Sequence, residues 1–319
     1  MEQIVFVFGG QGSQYYDMAK SLYANNKIFR DCMMELDQVV QKTAGYSVIQ
    51  ELYHSEKRIT DSFRDIRYTH PAIFMVQYSL AKLLMDVGIM PEYLIGTSLG
   101  EYVAYAVAGF ITPEVMLQLL VKQADLLYNH CIKGGMNTIL GAEEVYKELW
   151  CDIPGIELAT VNHEKHFVIS GNQETMNKAQ HWLKKNDISH MTLPVDYGFH
   201  SSAIEEIKDE FLYITEGLRS NMNYIKVYSS AVGDKIQSIS NDLLWNVVRE
   251  KILFRETLQR LDAKETELFY IDLGPCGTNA SLSKTILQRD KSIRSIISPF
   301  HTEQVNIHKI IEDHLMFSV

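Results

Sequence analysis

Short apolar runs that end at glycine alternate with longer segments of helical apolar spacing over the first 130 residues of the chain. Two such runs, residues 4–8 and 93–95, predict buried strands. Apolar side chains recur every three or four positions in residues 71–87, and this spacing predicts a helix, as do the segments 101–108 and 113–128. Strands that alternate with helices in this way are typical of a mostly parallel sheet with helices on both faces.

The middle of the chain follows a different order of elements. Strand, helix, strand, strand, helix and strand are predicted in turn for residues 137–140, 143–150, 156–161, 166–170, 174–185 and 189–194. This βαββαβ order is that of a ferredoxin-like unit. Two later runs, residues 225–229 and 269–273, predict strands that return to the large sheet, and residues 281–287 predict a helix.

The fold class expected from these patterns is α/β, with two units of different size. A large hydrolase-like domain with a mostly parallel sheet is predicted for residues 1–128 and 197–319. A small ferredoxin-like α+β subdomain is predicted as an insertion at residues 129–196.

Composition and charge narrow the possible functions. The chain has 319 residues, of which 46% are hydrophobic and 22% charged, as in ordinary globular proteins. Its four scattered cysteines form no C-x-x-C pair, so neither a zinc site nor a disulfide framework is expected, and a reducing cytoplasm is the expected compartment. A secretory signal is not expected from residues 1–6, nor a membrane helix from any segment. The formal charge of −10 argues against nucleic acid as a partner.

One serine lies between a predicted strand and a predicted helix with glycines on both sides. The sequence GTSLG at residues 96–100 fits the pattern G-x-S-x-G of the nucleophile elbow. The turn is so tight that side chains larger than glycine at its ends would clash. It lifts the hydroxyl of Ser98 to a helix N-terminus, where backbone N–H groups can bind a developing oxyanion. Ser98 is therefore the predicted nucleophile.

A serine hydroxyl needs a base, and the chain offers 11 histidines. His200 is favoured because it follows the inserted subdomain directly, and such returns lie beside the crevice where α/β proteins bind ligands. No carboxylate follows in the Ser…Asp…His order of a hydrolase triad, and Asp196 is merely the nearest acidic residue.

Residues 9–12 (GGQG) lack the lysine and spacing of a phosphate-binding loop, so no nucleotide cofactor is expected.

Four separated blocks resemble the malonyl-CoA:acyl-carrier-protein transacylases and the polyketide synthase acyltransferases. In order along nearly the whole chain they are FGGQGSQ at residues 8–14, GTSLGE at 96–101, FHSS at 199–202 and DLGP at 272–275. The elbow departs from the family at Thr97, where relatives usually have histidine. The resemblance implies an enzyme that forms an acyl-enzyme on serine.

The resemblance also implies the roles of individual residues. Ser98 would carry the acyl group, and His200 would activate it and later protonate the leaving thiolate. Gln11 and the backbone N–H of Leu99 would form the oxyanion hole. A backbone carbonyl orients the histidine in this family. It falls near Leu253 here, although the Asn-Pro-Val that precedes it in relatives is absent.

Malonyl-specific relatives hold the substrate carboxylate with an arginine on the helix after the elbow. The position counted from Ser98 is Gln123, and no arginine lies between Arg67 and Arg219, so no shift of register restores one. Lys122 is the adjacent cation, but lysine lacks the planar two-pronged geometry. Because an unpaired carboxylate in a pocket costs roughly 3–5 kcal/mol, the pocket is predicted to prefer uncharged acyl groups.

Two further residues are candidates for substrate contacts. Phe199 adds bulk beside the predicted base, so that large acyl chains would need another route. Asn162 lies in a subdomain strand where relatives have an asparagine that faces the pocket, and a structural role for it stays equally open.

The whole pattern resembles the acyl hydrolase branch of polyketide synthases whose acyltransferases are separate proteins. Such homologues are understood to unload stalled acyl groups, with water as the attacker in place of a thiol. Two alternatives stay open: a malonyl-CoA:acyl-carrier-protein transacylase in which another group such as Lys122 replaces the arginine, and a non-catalytic homologue that docks on a synthase.

Each alternative implies the same partner, an acyl carrier protein domain that presents an acyl thioester on its phosphopantetheine. No further cofactor and no metal are expected. Carrier proteins are themselves typically acidic, so a basic patch near the cleft is predicted, for which Lys133 and Lys165 are candidates.

Overall fold

The computed structural model describes residues 2–54, 56–222, 225–265 and 267–316. The strands are β1 (Gln3–Phe8), β2 (Tyr93–Gly96), β3 (Gly134–Ile139), β4 (Glu157–His163), β5 (His166–Asn172), β6 (His190–Thr192), β7 (Lys226–Ser229), β8 (Asp234–Ile236), β9 (Leu268–Asp272) and β10 (Ile293–Ser295). The helices are α1 (Lys20–Asn25), α2 (Lys27–Ala44), α3 (Val48–Tyr53), α4 (Ile66–Asp86), α5 (Leu99–Ala108), α6 (Pro113–His130), α7 (Glu143–Asp152), α8 (Gln173–Lys185), α9 (Lys208–Thr215), α10 (Asn241–Arg249), α11 (Phe254–Lys264), α12 (Thr278–Leu287) and α13 (Glu303–Met316), with a short 3₁₀ helix at Ser202–Ile207.

The large sheet has its first strand in the middle. Its order is β10-β9-β1-β2-β7-β8, and every neighbouring pair is parallel except β7 with β8. The side chains of β1 from Ile4 to Phe8 are all buried, which is expected of a parallel strand covered by helices on both faces. The carboxyl ends of β1, β2 and β9 therefore lie side by side at one edge.

The small sheet has the order β4-β5-β3-β6, and all its pairs are antiparallel. With α7 and α8 it forms the βαββαβ unit expected from the sequence, so the predicted fold class is confirmed: a hydrolase-like α/β domain with a ferredoxin-like subdomain. The exact domain boundaries stay a prediction, and residues 317–319 of the predicted large domain lie outside the described residues. A bridge between Thr160 and Ile252 joins the two units.

Helix α4 begins five residues before the predicted start at Pro71. A proline inside a helix leaves the carbonyl four residues earlier without its backbone donor. That carbonyl belongs to Arg67, and the hydroxyl of Tyr46 donates to it at 2.6 Å. The substitute bond lets the helix continue through the proline. Within the described residues, no helix is both long and apolar enough to cross a membrane.

Candidate active site

The elbow serine sits in a strained turn between β2 and α5. Ser98 has φ 53° and ψ −126°, a conformation that L-residues rarely adopt. A Cβ atom at Gly96 would lie 2.3 Å from the backbone nitrogen of Glu101, and one at Gly100 would lie 2.3 Å from the carbonyl oxygen of Phe8. Both glycines are therefore required by the close approach of backbone, as the motif predicted.

The structure brings the predicted base to the predicted nucleophile. Nε2 of His200 lies 2.8 Å from Oγ of Ser98, although the two residues are 102 positions apart. Nδ1 of His200 lies 2.6 Å from the carbonyl oxygen of Glu250, not from that of Leu253. The prediction of Leu253 was wrong because its carbonyl already accepts bonds from the backbone and the hydroxyl of Thr257, in the first turn of α11.

Burial controls the protonation state of this histidine. His200 is 3% exposed, and desolvation lowers its pKa to about 4, with a smaller contribution from the positive charge of Arg249. The bond to the Glu250 carbonyl acts in the opposite direction. A carbonyl oxygen can only accept, so Nδ1 carries the proton and Nε2 is free to accept one from Ser98. At neutral pH the ring is thus an uncharged base.

The backbone N–H groups of Gln11 and Leu99 are among those near Ser98 that have no acceptor within the described part of the chain. Leu99 is the first residue of α5, where such unpaired groups are expected. Nε2 of Gln11 donates one of its two hydrogens to Thr69 Oγ1 at 2.6 Å, which fixes the position of the amide. The main-chain N–H groups of Gln11 and Leu99 are the donors that we expect to face an oxyanion.

Helix α4 positions the loop that carries Gln11. The buried side chain of Gln77 accepts a 2.6 Å bond from the N–H of Gly9 and donates a 2.9 Å bond to the carbonyl of the same residue. Together with Thr69, it fixes the loop from two sides. The sequence interpretation missed both residues, since nothing in a helical segment shows that its polar side chains face a distant loop.

Glu101 ties the elbow helix to the loop after β7. The carboxylate is 1% exposed and accepts bonds from the hydroxyls of Tyr105 and Ser229 and from the N–H of Ala231. Burial raises the pKa of Glu101 to about 7, against the lowering effect of these bonds. Glu101 can be recognised in the sequence as the last residue of the block at residues 96–101, but the residues that it contacts cannot.

Ser98 and His200 open into a cavity of about 410 Å³ between the two units. The predicted residues Gln11, Asn162 and Phe199 also line it. Asp272 is the acidic residue of the lining, and the remaining residues are either histidine or uncharged. No lysine or arginine is found among the described residues that line the cavity. The cavity therefore offers an anionic acyl group no cation.

Gln123, predicted to contact substrate, is absent from the lining of this cavity. It is fully buried on α6, and its Nε2 donates a long 3.4 Å bond to the hydroxyl of Tyr102. The prediction fails because that face of α6 packs into the core. Lys122 is exposed on another face of the helix and does not line the cavity either.

The predicted basic patch is not formed at the cavity by the described residues. Lys133 pairs with Asp196 at 3.6 Å and donates to the hydroxyl of Tyr197, and Lys165 is exposed on the β4–β5 turn. Neither lysine lines the cavity. Asp196 also pairs with Arg64 at 3.2 Å, and the group that Nδ1 of His200 contacts is the carbonyl of Glu250, not a carboxylate. In the described residues there is no group of three or more side chains that could hold a metal ion.

The fold and the geometry define an α/β protein in which the serine of a tight strand–helix turn lies within hydrogen-bond distance of a histidine held by a main-chain carbonyl. Residues 5–308 match the acyl transferase domain family, and the chain belongs to that family. It is 41% identical over 317 residues to the polyketide biosynthesis acyltransferase homolog BaeD of Bacillus velezensis. The aligned region covers 99% of this chain and 97% of that protein.

One further relative agrees with this assignment, and a solved structure agrees with the fold. The polyketide biosynthesis acyltransferase homolog PksD of Bacillus subtilis is 39% identical over 311 residues, covering 97% of this chain and 96% of that protein. The malonyl CoA-acyl carrier protein transacylase of Clostridium perfringens superposes with a TM-score of 0.80 over 99% of this chain and 100% of that one. At 22% identity this structural likeness supports the fold.

Proposed function

We propose that the protein is an acyl hydrolase that removes uncharged acyl groups from carrier-protein thioesters during polyketide biosynthesis. The observation that carries the proposal is the cavity without lysine or arginine among the described residues that line it. A malonyl carboxylate placed there would lack a partner at a cost of about 3–5 kcal/mol, or roughly 10²- to 10³-fold or more in binding. The two Bacillus relatives, named for polyketide biosynthesis, support the metabolic setting.

The first half of the reaction uses the geometry around Ser98. Its hydroxyl gives a proton to Nε2 of His200, 2.8 Å away, while Oγ attacks the thioester carbonyl. The oxyanion that forms is bound by the N–H groups of Gln11 and Leu99. Collapse of the intermediate breaks the carbon–sulfur bond, and the protonated histidine returns its proton to the thiolate. The product is acyl-Ser98 and a free carrier thiol.

The second half repeats the chemistry with water. His200, neutral again, accepts a proton from a water molecule that attacks the ester carbonyl of acyl-Ser98. The intermediate releases the carboxylic acid, and the serine oxygen takes the proton back. The low pKa of His200, about 4, keeps the base uncharged at neutral pH in both halves.

The substrate and partner follow from the same chemistry. The thioester would be carried on the phosphopantetheine of an acyl carrier protein domain, with no resident cofactor. The four cysteines are free thiols, which suits the reducing cytoplasm that we propose as the compartment.

The proposal is tested with acetyl- and malonyl-loaded carrier protein, and separately with malonyl-CoA plus free carrier protein, each followed by intact mass. Loss of acetyl with retention of malonyl is expected, and the Ser98→Ala protein should leave both groups in place. Rapid loading of the free carrier from malonyl-CoA would establish a transacylase instead. A protein inert in every arm over a series of acyl groups would favour the docking homologue.

A further inference from the structure

The cavity runs across all four strands of the small sheet. Each strand contributes two side chains to the lining: Thr160 and Asn162 from β4, His166 and Val168 from β5, Met136 and Thr138 from β3, and Met191 with the following Leu193 from β6. Strands lie about 4.8 Å apart, so the distance from β4 to β6 is roughly 14 Å. Both ends of an extended substrate can therefore rest on one sheet face.

The polarity of this face changes from one edge to the other. The β4 edge presents two polar side chains, Thr160 and Asn162, whereas the β6 edge presents the apolar Met191 and Leu193. The two central strands each contribute one apolar and one polar residue. An acyl-pantetheine thioester has the same asymmetry, since its acyl chain is apolar and its arm carries two amides.

We propose that the cavity binds its substrate in one direction, with the acyl chain across β3 and β6 and the amide-bearing arm across β4. The inference rests on the proposed function in one respect, that the ligand is an acyl thioester. It adds the direction in which the ligand lies and the residues that set the preference for acyl chain length.

At the arm end, Asn162 has an unused donor. The residue is 7% exposed and its Oδ1 accepts a 3.4 Å bond from Thr160, but Nδ2 has no acceptor within the described residues. This Nδ2 is not one of the buried atoms that lack a partner, so it is accessible from the cavity and can donate to a ligand. A pantetheine carbonyl would accept that bond, and Ile252, whose backbone pairs with Thr160, and Leu282 of α12 add apolar lining that suits the dimethyl carbon of the arm.

A second pocket lies near the arm end of the cavity. It has a volume of about 460 Å³ and lies between the β4–β5 turn and helices α11 and α12. Its lining includes Ile286, one helical turn beyond Leu282, and His163, whose ring centroid lies 5.3 Å from that of His166, and the arm would leave the cavity past these residues. The carrier protein would then approach over α11 and α12.

At the acyl end, Met191 marks an opening. Its side chain lines the cavity and is nevertheless 61% exposed, so the apolar surface continues from the site to solvent. An acyl chain that reaches Met191 is not stopped by a closed wall. The deeper residue Met136 is 6% exposed and lies between this opening and the interior.

The direction is tested by binding and without turnover. Calorimetric titration of the Ser98→Ala protein with acyl-pantetheine thioesters from acetyl to octanoyl should show a Kd that falls with each methylene, by up to about fourfold. Met191→Asp places a charge on the acyl path. It should weaken octanoyl binding by about tenfold or more and leave acetyl binding within about twofold.

Two controls separate the ends of the cavity. Met90→Asp adds the same charge at a methionine that is 50% exposed and does not line the cavity, and it should change neither affinity. Asn162→Leu, which removes the arm contact, should weaken acetyl and octanoyl binding by the same factor, about tenfold.

The proposal is overturned if the affinity does not depend on chain length, or if Met191→Asp weakens acetyl as much as octanoyl. It is also overturned if Asn162→Leu acts on octanoyl alone, which would reverse the direction of binding. Because these titrations use a protein without its nucleophile, they are independent of the acceptor. A protein that shows this pattern but does not hydrolyse acetyl-carrier protein would refute the proposed function and leave the binding direction intact.

Discussion

The Nδ1 atom of His200 lies 2.6 Å from the main-chain carbonyl oxygen of Glu250, in the place where a hydrolase triad has a carboxylate. A carbonyl fixes the tautomer and the orientation of the ring as a carboxylate does. It carries no full negative charge, however, and so gives less stabilisation to a protonated ring. Burial therefore outweighs the upward effect of this bond, and the pKa of His200 falls to about 4.

The first prediction concerns the pH dependence of acylation. The base works only when neutral, and its lowered pKa means that it is neutral above about pH 4. The rate of acetyl-Ser98 formation should therefore rise through about pH 4 and show no inflection near 6.5, the usual value for histidine. Rapid-quench intact mass between pH 4 and 8 measures this rate, with circular dichroism at each pH to show that the protein is folded. An inflection near 6.5 would contradict the assignment.

The second prediction concerns Gln123. Its Oε1 is buried without a partner and its Nε2 makes one long bond, so the nearly isosteric Gln123→Met should leave the free energy of unfolding unchanged or raise it by up to about 1 kcal/mol. Because the residue does not line the cavity, acetyl hydrolysis should stay within about twofold. Gln123→Arg buries an unpaired charge and should destabilise the protein by about 3–5 kcal/mol without creating malonyl activity. Malonyl transfer by this variant would show that the side chain reaches the cavity.

The third prediction concerns the elbow. A Cβ at Gly100 would lie 2.3 Å from the carbonyl oxygen of Phe8, so Gly100→Ala forces α5 away from β1. We expect a loss of about 1–3 kcal/mol in stability and a large loss of acyl-enzyme formation, measured by denaturant unfolding and intact mass. Gly135→Ala is the matched control, since the nearest atom to its Cβ would be 3.9 Å away, on Met176. Equal effects of the two substitutions would show that the close approach at the elbow is unimportant.

The fourth prediction concerns the loop that carries Gln11. Gln77→Leu preserves volume but removes both bonds to the backbone of Gly9, leaving a buried N–H and C=O unpaired. The loop should lose its fixed position, with a fall in kcat of roughly 10²-fold, the usual size for a lost oxyanion contact, and a smaller change in KM. Gln118→Leu, at an exposed position on α6, serves as the control for the same change of chemistry. A rise in KM with kcat unchanged would assign Gln77 to substrate binding instead.

Local patterns predicted the parts of the site that depend on local geometry. The tight turn at Ser98 was predictable because it needs glycines at fixed spacing, and the contacts at Gly96 and Gly100 show the steric reason. Gln123 was misassigned because the face that a helical residue presents to a cavity is decided by tertiary packing. The position near Leu253 that the resemblance implied was wrong by three residues, since the carbonyl that holds the histidine is that of Glu250 and a main-chain group cannot be recognised from the side chain of its residue.

The start of a helix was predicted wrongly where the side chain of a distant residue supplies a hydrogen bond that the helix itself lacks. The proline in α4 indicated a helix start at Pro71, but the hydroxyl of Tyr46 replaces the bond that the proline removes at Arg67. Such a contact spans 21 residues and cannot be inferred from the helical segment alone. The fold class was predictable because it depends on the order of strands and helices, which such contacts do not alter.

The position of β1 in the large sheet has a consequence for synthesis on the ribosome. Of the six strands in this sheet β1 is translated before the others, and one of its two neighbours, β9, is made only when residues 268–272 have been translated. Until then one edge of β1 exposes unpaired backbone groups, a surface that invites pairing with other chains. A nascent or prematurely terminated chain is therefore exposed to aggregation while the segment between β1 and β9 is translated, and a chaperone that shields this edge would raise the yield of folded protein.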